Sequence, residues 1–117
     1  MASYRKLIVW QKSMDLVEMI YTLVNYLPKE EIYGLSSQMR RAAVSIPSNI
    51  AEGHGRQTEK EFYRFLCISQ GSKAELETQL EVCLRLNYLK QDQVQTALAL
   101  CDEVGKMIYS LMNKFVE

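Results

Sequence analysis

Polar side chains recur along residues 34–53 with the three- and four-residue spacing that places them on one side of a helix. They are Gln38, Arg41, Ser45, Asn49 and Glu52. A catalytic centre here would need a general base, but the row contains no histidine, and a mechanism using carboxylates alone needs a second acid nearby. The row therefore predicts a structural polar network, with partners such as Glu75 or Gln79 from another helix, and we predict no catalytic residue.

A basic strip follows this row. Arg56, Lys60 and Arg64 step by four, from a short loop onto the first turns of the next helix. The free amides and the macrodipole at a helix N-terminus favour anions, and an adjoining tyrosine can stack on an unpaired base. The strip therefore predicts contact with a polyanion such as nucleic acid. The candidate nucleic-acid-binding residues are Arg40, Arg56, Lys60, Tyr63 and Arg64. Arg40 extends the strip if the second helix folds back beside the third.

The same basic strip has a simpler interpretation. Lys60 and Arg64 form a like-charge pair that Glu59 and Glu61 can relieve, which is typical of a solvated helix face. In this interpretation His54 is an ordinary loop residue. The pattern of charges leaves both interpretations open.

The sequence gives little support for catalysis, cofactor binding, disulfide bonds or a metal site. It contains no phosphate-cradling glycine motif, no Glu-x-x-His metal pair and no Ser-His-Asp set, so we expect neither an enzyme nor a cofactor. Cys67, Cys83 and Cys101 are odd in number and lack Cys-x-x-Cys spacing. This argues against disulfides and metal sites, and it favours a reducing cytoplasm.

Length and charge bound the architecture. The 117 residues predict one domain, 1–117, and 14 basic residues balance 14 acidic ones, so any polyanion site must be local. No uncharged apolar run reaches the length of about 18 residues needed to span a membrane, and the N-terminal apolar run is too short for a secretory signal. We therefore expect a protein that does not associate with membranes.

Four helices must position the candidate residues. Two adjacent apolar stripes predict the first helix over 8–27, ending before Pro28. The second is predicted over 34–51, with a kink at Pro47 and Gly53 as a left-handed terminator.

The third and fourth helices complete the prediction. A capping box of Thr58 and Glu61 begins the third, which runs to about residue 87 and contains Gly71-Ser72, a pair suited to a close helix contact. The fourth begins near Asp92 as its cap. Short connections between long helices predict an all-α, up-down antiparallel four-helix bundle.

Several ordered motifs carry a resemblance. They are Leu7-x-x-Trp10-Gln11, Tyr33-Gly34-Leu35-x-x-Gln38-x-Arg40-Arg41-Ala42, Ser45-Ile46-x-x-Asn49-Ile50-Ala51-Glu52-Gly53 and Gly71-Ser72-x-x-Glu75. The chain resembles the small proteins encoded in intervening sequences of bacterial 23S ribosomal RNA genes. It is similar also to the accessory proteins of diversity-generating retroelements, which bind nucleic acid and a reverse transcriptase. The resemblance implies a four-helix bundle that assembles into a homopentamer, and an association with RNA.

These observations lead to one main functional hypothesis. We expect a non-catalytic, homo-oligomeric protein that binds RNA or another nucleic acid. The two apolar stripes of the first helix exceed what one bundle core needs, which independently predicts self-association. The alternatives are a scaffold for another protein and an accessory subunit of a reverse transcriptase.

Overall fold

The computed structural model describes residues 3–115, so the ends of the predicted domain, residues 1–2 and 116–117, lie outside the described part. Four α-helices account for most of it. They are α1 (Ile8–Leu23), α2 (Leu35–His54), α3 (Glu59–Arg85) and α4 (Gln91–Asn113), with single 3-10 turns at Tyr4–Lys6, Val24–Tyr26 and Lys29–Glu31. The described residues form no strand, and the all-helical prediction is confirmed.

Each helix packs against two others, which encloses one core. α2 contacts α1 and α3, and α4 contacts α3 and α1, with the most extensive contact between α2 and α3. Along that contact Met39 lies beside Cys83 and Ser45 beside Ser72, so residue numbers rise on α2 as they fall on α3. The bundle measures 44 × 22 × 20 Å, so it is about twice as long as it is wide.

The two apolar stripes of α1 have different environments. The stripe of Leu16, Ile20, Leu23 and Leu27 is buried. In the stripe of Trp10, Met14, Val17, Tyr21 and Val24, Met14 and Tyr21 are exposed and Val24 is buried. The α-helix ends at Leu23, earlier than predicted, because the chain tightens into a 3-10 turn before the extended Leu27 and Pro28. Leu27 is extended, as the steric rule for the residue before proline requires, but the α-helix itself ends four residues before the predicted end at Leu27.

The end of α2 corrects the sequence prediction. Gly53 is not a left-handed terminator: it lies within the helix, which continues to His54, and no described glycine has a positive φ. A Cβ at Gly53 would lie 2.6 Å from the Cβ of Phe65, so this glycine is needed for close approach of α3. Pro47 also lies within α2, and the kink there stays a prediction.

The starts of α3 and α4 differ in how well they were predicted. The Glu61 amide donates to Thr58 Oγ1 at 3.1 Å, which confirms Thr58 as the N-cap of α3. The reciprocal bond of the predicted capping box, from the Thr58 amide to the Glu61 side chain, is not formed in the described part of the chain. At α4 the cap position belongs to Lys90 and not to Asp92, and the Lys90 amide donates to Gln93 Oε1. A Cβ at Gly71 would meet no atom of the described residues within 4 Å, so Gly71 is not the site of a close helix contact within the protomer, whereas the Ser72 hydroxyl beside it bonds to Ser45 of α2.

Candidate nucleic-acid interface

The basic strip begins where α2 passes into α3. Only residues 55–58 separate the two helices, and Thr58 caps the second one. The Arg56 amide donates to the Gly53 carbonyl, which folds the loop back on the end of α2. The strip is therefore attached to two packed helices rather than carried on a free loop.

Phe65 organises the two arginines of the strip. Its ring is buried because Gly53 allows α2 to approach closely. The guanidinium carbons of Arg56 and Arg64 lie 4.9 and 5.2 Å from the ring centroid. Guanidinium groups are attracted to aromatic faces, so the ring holds both cations at the surface.

An acid moderates this positive charge. Glu52 Oε2 accepts a hydrogen bond from the Arg56 guanidinium at 2.7 Å, and both side chains are about half exposed. Exposed pairs of this spacing contribute only about 0.3–0.5 kcal/mol. Glu52 therefore pairs with the basic strip and does not join the polar network to which its spacing had assigned it. The Arg56 guanidinium has further N–H donors with which it can bind another group.

The remaining candidate residues are not all brought together. Lys60 is exposed and Tyr63 is half-buried on the first turns of α3. Arg40 lies toward the other end of α2, where its guanidinium carbon is 5.9 Å from the Tyr21 ring centroid. From Arg40 the helix continues for fourteen residues to His54, about 21 Å at the usual rise, before the loop that carries Arg56, so Arg40 does not extend the strip.

The polar row forms a smaller network than its spacing suggests. The hydroxyl oxygens of Ser45 and Ser72 are 2.7 Å apart. The side-chain amide of Asn49 donates to the Ser45 backbone carbonyl at 2.8 Å and to the Ser45 hydroxyl at 2.9 Å. Ser69 donates to the Ile46 carbonyl at 3.0 Å. These bonds surround Pro47, which cannot donate an amide proton. The centre of the row thus joins α2 to α3.

The outer members of the row face solvent. Gln38, Arg41 and Glu75 are exposed, and together with Ser45 and Ser72 they line an open cleft of about 230 Å³. Neither Glu75 nor Gln79, the partners expected from the sequence, bonds to the row in the described structure. Gln79 is buried, and its Oε1 has no hydrogen-bond partner among the described residues.

The sequence analysis gave no role to Phe65 or Ser69, and it named Ser72 only in the pair suited to a close helix contact. The buried Phe65 ring holds the strip. Ser69 and Ser72 supply the α3 side of the polar network. Their three-residue spacing on an apolar helix face was a usable signal, because a hydroxyl among core positions needs a partner.

Neither of the two buried cysteines is suited to nucleophilic chemistry. Burial, with a smaller effect of Glu31, raises the pKa of Cys83 to about 11, and burial followed by Glu77 raises the pKa of Cys101 to about 12. Both stay protonated near neutrality, and a thiol is a weak nucleophile. Within residues 3–115, no group of three metal-binding side chains is assembled.

His54 packs at the same end of the bundle as the basic strip. Its ring meets Phe62 edge to face at a centroid distance of 5.7 Å, and Phe62 in turn packs against Phe115 at 5.3 Å. This places His54 at the end of α2 rather than in the loop, and gives it an aromatic packing role.

The architecture and the site define a four-helix bundle protein with a basic strip at one end. The chain belongs to the family of 23S rRNA-intervening sequence proteins, whose family model matches residues 5–110. This confirms the resemblance to the proteins encoded in intervening sequences of 23S ribosomal RNA genes. No curated protein matches the chain. None of the helices in residues 3–115 has the length and apolar character needed to cross a membrane.

A solved structure supports the same assignment. The chain is similar to a protein of unknown function from the S23 ribosomal protein family of Bacteroides thetaiotaomicron, whose crystal structure was determined at 1.70 Å. The two share 27% sequence identity with a TM-score of 0.84, over 91% of this chain and 96% of that one. The four-helix fold is therefore shared nearly end to end.

Proposed function

We propose that this chain is a non-catalytic, homo-oligomeric protein that binds RNA through the basic strip of Arg56, Lys60 and Arg64. The observation that carries the proposal is the placement of two guanidinium groups over one buried ring, that of Phe65. An arginine held in place loses less conformational entropy when it binds a phosphate than one that is free to move. Lys60 adds an exposed charge between them.

The surroundings of the strip also suit a phosphate chain. The first turn of α3 presents amides that have no helical partner, and the helix dipole favours negative charge there. Tyr63 lies beside the strip and offers a ring for stacking on an unpaired base. Glu52, Glu59 and Glu61 weaken the local field, so a single subunit is expected to bind weakly.

Assembly would compensate for weak binding by one subunit. The family resemblance implies a homopentamer, and a ring of five subunits repeats the strip five times. Linked sites raise the overall affinity without new contacts, because later contacts are made at high effective concentration. The free cysteines fit the reducing cytoplasm, where we place this activity.

The test is a gel-shift titration of the parent and a triple variant carrying Arg56→Gln, Lys60→Gln and Arg64→Gln. Structured and single-stranded RNA are each titrated at two salt concentrations. We expect parent binding to fall steeply with salt, because phosphate neutralisation releases counterions. The triple variant should lose at least about tenfold in affinity, equal to about 1.4 kcal/mol.

A matched control separates the strip from overall charge. Lys29→Gln, Arg85→Gln and Lys90→Gln together remove the same charge from exposed positions at the other end of the bundle. This control should bind RNA almost as well as the parent. Equal binding by the strip variant and the parent would remove the strip from the proposal.

A scaffold for another protein is the second candidate function. The exposed apolar residues of α1, Met14 and Tyr21, favour it because such surfaces mark protein contacts. A reverse transcriptase is the partner that the retroelement resemblance implies. If the parent protein assembles but binds neither the structured nor the single-stranded RNA at low salt, that result would favour this candidate.

A further inference from the structure

The open cleft between α2 and α3 presents two opposite charges that have no partner among the described residues. We call it the α2–α3 cleft; it is lined by Gln38, Arg41, Ala42, Ser45, Ser72 and Glu75. Arg41 and Glu75 are both exposed, and neither forms a salt bridge with the other or with any other residue in the range 3–115. A guanidinium only donates hydrogen bonds and a carboxylate only accepts them. The cleft therefore suits a ligand that carries both acceptors and donors.

The buried part of the cleft holds a hydrogen-bond donor that the chain does not use. The hydroxyl oxygens of Ser45 and Ser72 are 2.7 Å apart, and one of their two protons lies in the bond between them. Asn49 donates to Ser45 and so takes up no proton of the pair. The second hydroxyl proton has no acceptor among the described residues, although Ser72 is only 9% exposed. Buried polar groups are ordinarily satisfied, so an acceptor from a ligand fits here.

The size of the cleft limits what it can hold. Its volume is about 230 Å³, which is below the range of about 300–1,000 Å³ that is typical of sites for drug-sized ligands. The occupant is therefore a small group or one group of a longer molecule. An unpaired base of a single-stranded RNA is such a group, because its edges are free to form hydrogen bonds with a protein.

Guanine is the base whose edges match the cleft. It alone among the RNA bases has two adjacent N–H donors beside a carbonyl oxygen, and the two oxygens of Glu75 can accept from that pair. Its O6 and N7 atoms are acceptors for an arginine, the commonest specific contact of guanine, and Arg41 supplies the guanidinium. Adenine has an acceptor at N1 in place of the N1–H donor, and this acceptor would face the carboxylate of Glu75. The cleft should therefore select guanine and reject adenine.

The cleft lies on the same side of α3 as the basic strip. Arg64, Ile68, Gly71 and Glu75 follow one another at steps of four, three and four residues, so they share one face of the helix. Eleven residues lead from Arg64 to Glu75, about 16 Å at 1.5 Å per residue. A single strand covers that distance in about five stacked nucleotides at 3.4 Å each. A Cβ at Gly71 would meet no atom within 4 Å, so the path between the two sites is open.

We propose that the α2–α3 cleft binds one unpaired guanine of an RNA whose phosphates lie on the basic strip. Arg41 and Glu75 recognise the base, and the serine pair with Gln38 supplies further hydrogen bonds. The strip contributes affinity that does not depend on sequence, because phosphates are common to every nucleotide. This inference rests on the RNA binding of the proposed function and adds base selectivity to it.

The first test measures base preference by fluorescence anisotropy. Short uridine tracts that differ in one central nucleoside, guanosine, adenosine or inosine, are titrated with the parent at one salt concentration. The parent should bind the guanosine tract at least about tenfold more tightly than the adenosine tract, because a bidentate contact discriminates by this order. Inosine lacks the N2 amine and keeps O6, N7 and N1–H, so its affinity should lie between the other two.

The second test removes each charge of the cleft. Glu75→Gln keeps the size of the side chain but leaves one acceptor oxygen, and Arg41→Gln removes the guanidinium. Each variant should lose the preference for guanosine and still bind uridine tracts through the strip. Both residues are exposed and form no salt bridge in the described structure, so the fold should be retained, which far-ultraviolet circular dichroism checks. Glu81→Gln and Arg40→Gln remove the same charges from residues that do not line the cleft, and these controls should keep the preference.

The outcomes separate this inference from the proposed function. A parent that binds none of the tracts overturns both. A parent that binds RNA but treats all three tracts alike overturns the guanine site alone, and so does a preference that survives both Glu75→Gln and Arg41→Gln. Free guanosine monophosphate that binds as tightly as the guanosine tract would overturn the assignment to RNA and place a free nucleotide in the cleft. The triple variant of the strip should weaken binding to every tract by a similar factor.

Discussion

Gly53 on α2 and Phe65 on α3 are in such close contact that a Cβ on the glycine would lie 2.6 Å from the Cβ of the phenylalanine. The contact brings the two helices together directly beneath the basic strip. Because the Phe65 ring supports both Arg56 and Arg64, the interhelical distance at Gly53 also sets where those cations stand.

Gly53→Ala should therefore destabilise the fold. The added methyl group meets Phe65 and Phe62, and overpacking of this kind costs about 1–3 kcal/mol. Chemical denaturation measures the loss. Gly55→Ala is the control, since a Cβ there would make only ordinary contacts with backbone oxygens at 3.6 and 3.7 Å. Equal stability of the two variants would contradict the close contact.

Ser69→Ala should weaken the joint between α2 and α3. The buried hydroxyl donates to the Ile46 carbonyl at 3.0 Å, and loss of one such bond costs about 1 kcal/mol. Thr96→Ala removes a hydroxyl bond to a backbone carbonyl that is exposed on α4, and it should change stability far less. Thermal unfolding of both variants, compared with the parent, checks the difference.

Thiol reactivity should distinguish the three cysteines. Cys83 and Cys101 are buried and Cys67 is exposed, and the raised pKa values of the buried pair leave almost no thiolate near neutral pH. A thiol reagent at pH 8 should modify no more than one cysteine per native chain, and all three in denaturant. Rapid modification of Cys101 in the native protein, read by mass spectrometry, is the contrary result.

Stability should fall in alkaline solution. The pKa values of Cys83 and Cys101 are about 11 and 12 in the fold and 9.0 ordinarily, so folding favours the protonated thiols. This contribution is complete below pH 9 and is lost as the pH rises through 11 and 12. Urea unfolding of the parent and Cys101→Ala between pH 8 and 11.5 tests it.

The comparison uses the difference between parent and variant, because other groups also titrate in that range. Cys101→Ala should lose less stability with rising pH than the parent does, whereas Cys67→Ala should follow the parent. A Cys101→Ala curve parallel to that of the parent across the whole range would show that this thiol does not contribute.

The sequence by itself determined the four helices and most of the core. Met39, Ile46 and Ile50 recur at helical spacing on α2, and all are buried. The cap at Thr58 was equally readable. These features depend on local geometry, because a helix places every third or fourth residue on one face and its first turn leaves amides for a cap.

Tertiary structure alone decided how those helices meet. Gly53 and Gly71 look alike in the sequence, yet one is buried against Phe65 and the other stands open. Glu52 shares the spacing of the polar row, yet it forms a salt bridge with Arg56. Ser45 forms its hydrogen bond with Ser72 and not with Glu75. Spacing along one helix specifies a face, but partners depend on the rotation and separation of two helices, which only their packing in three dimensions sets.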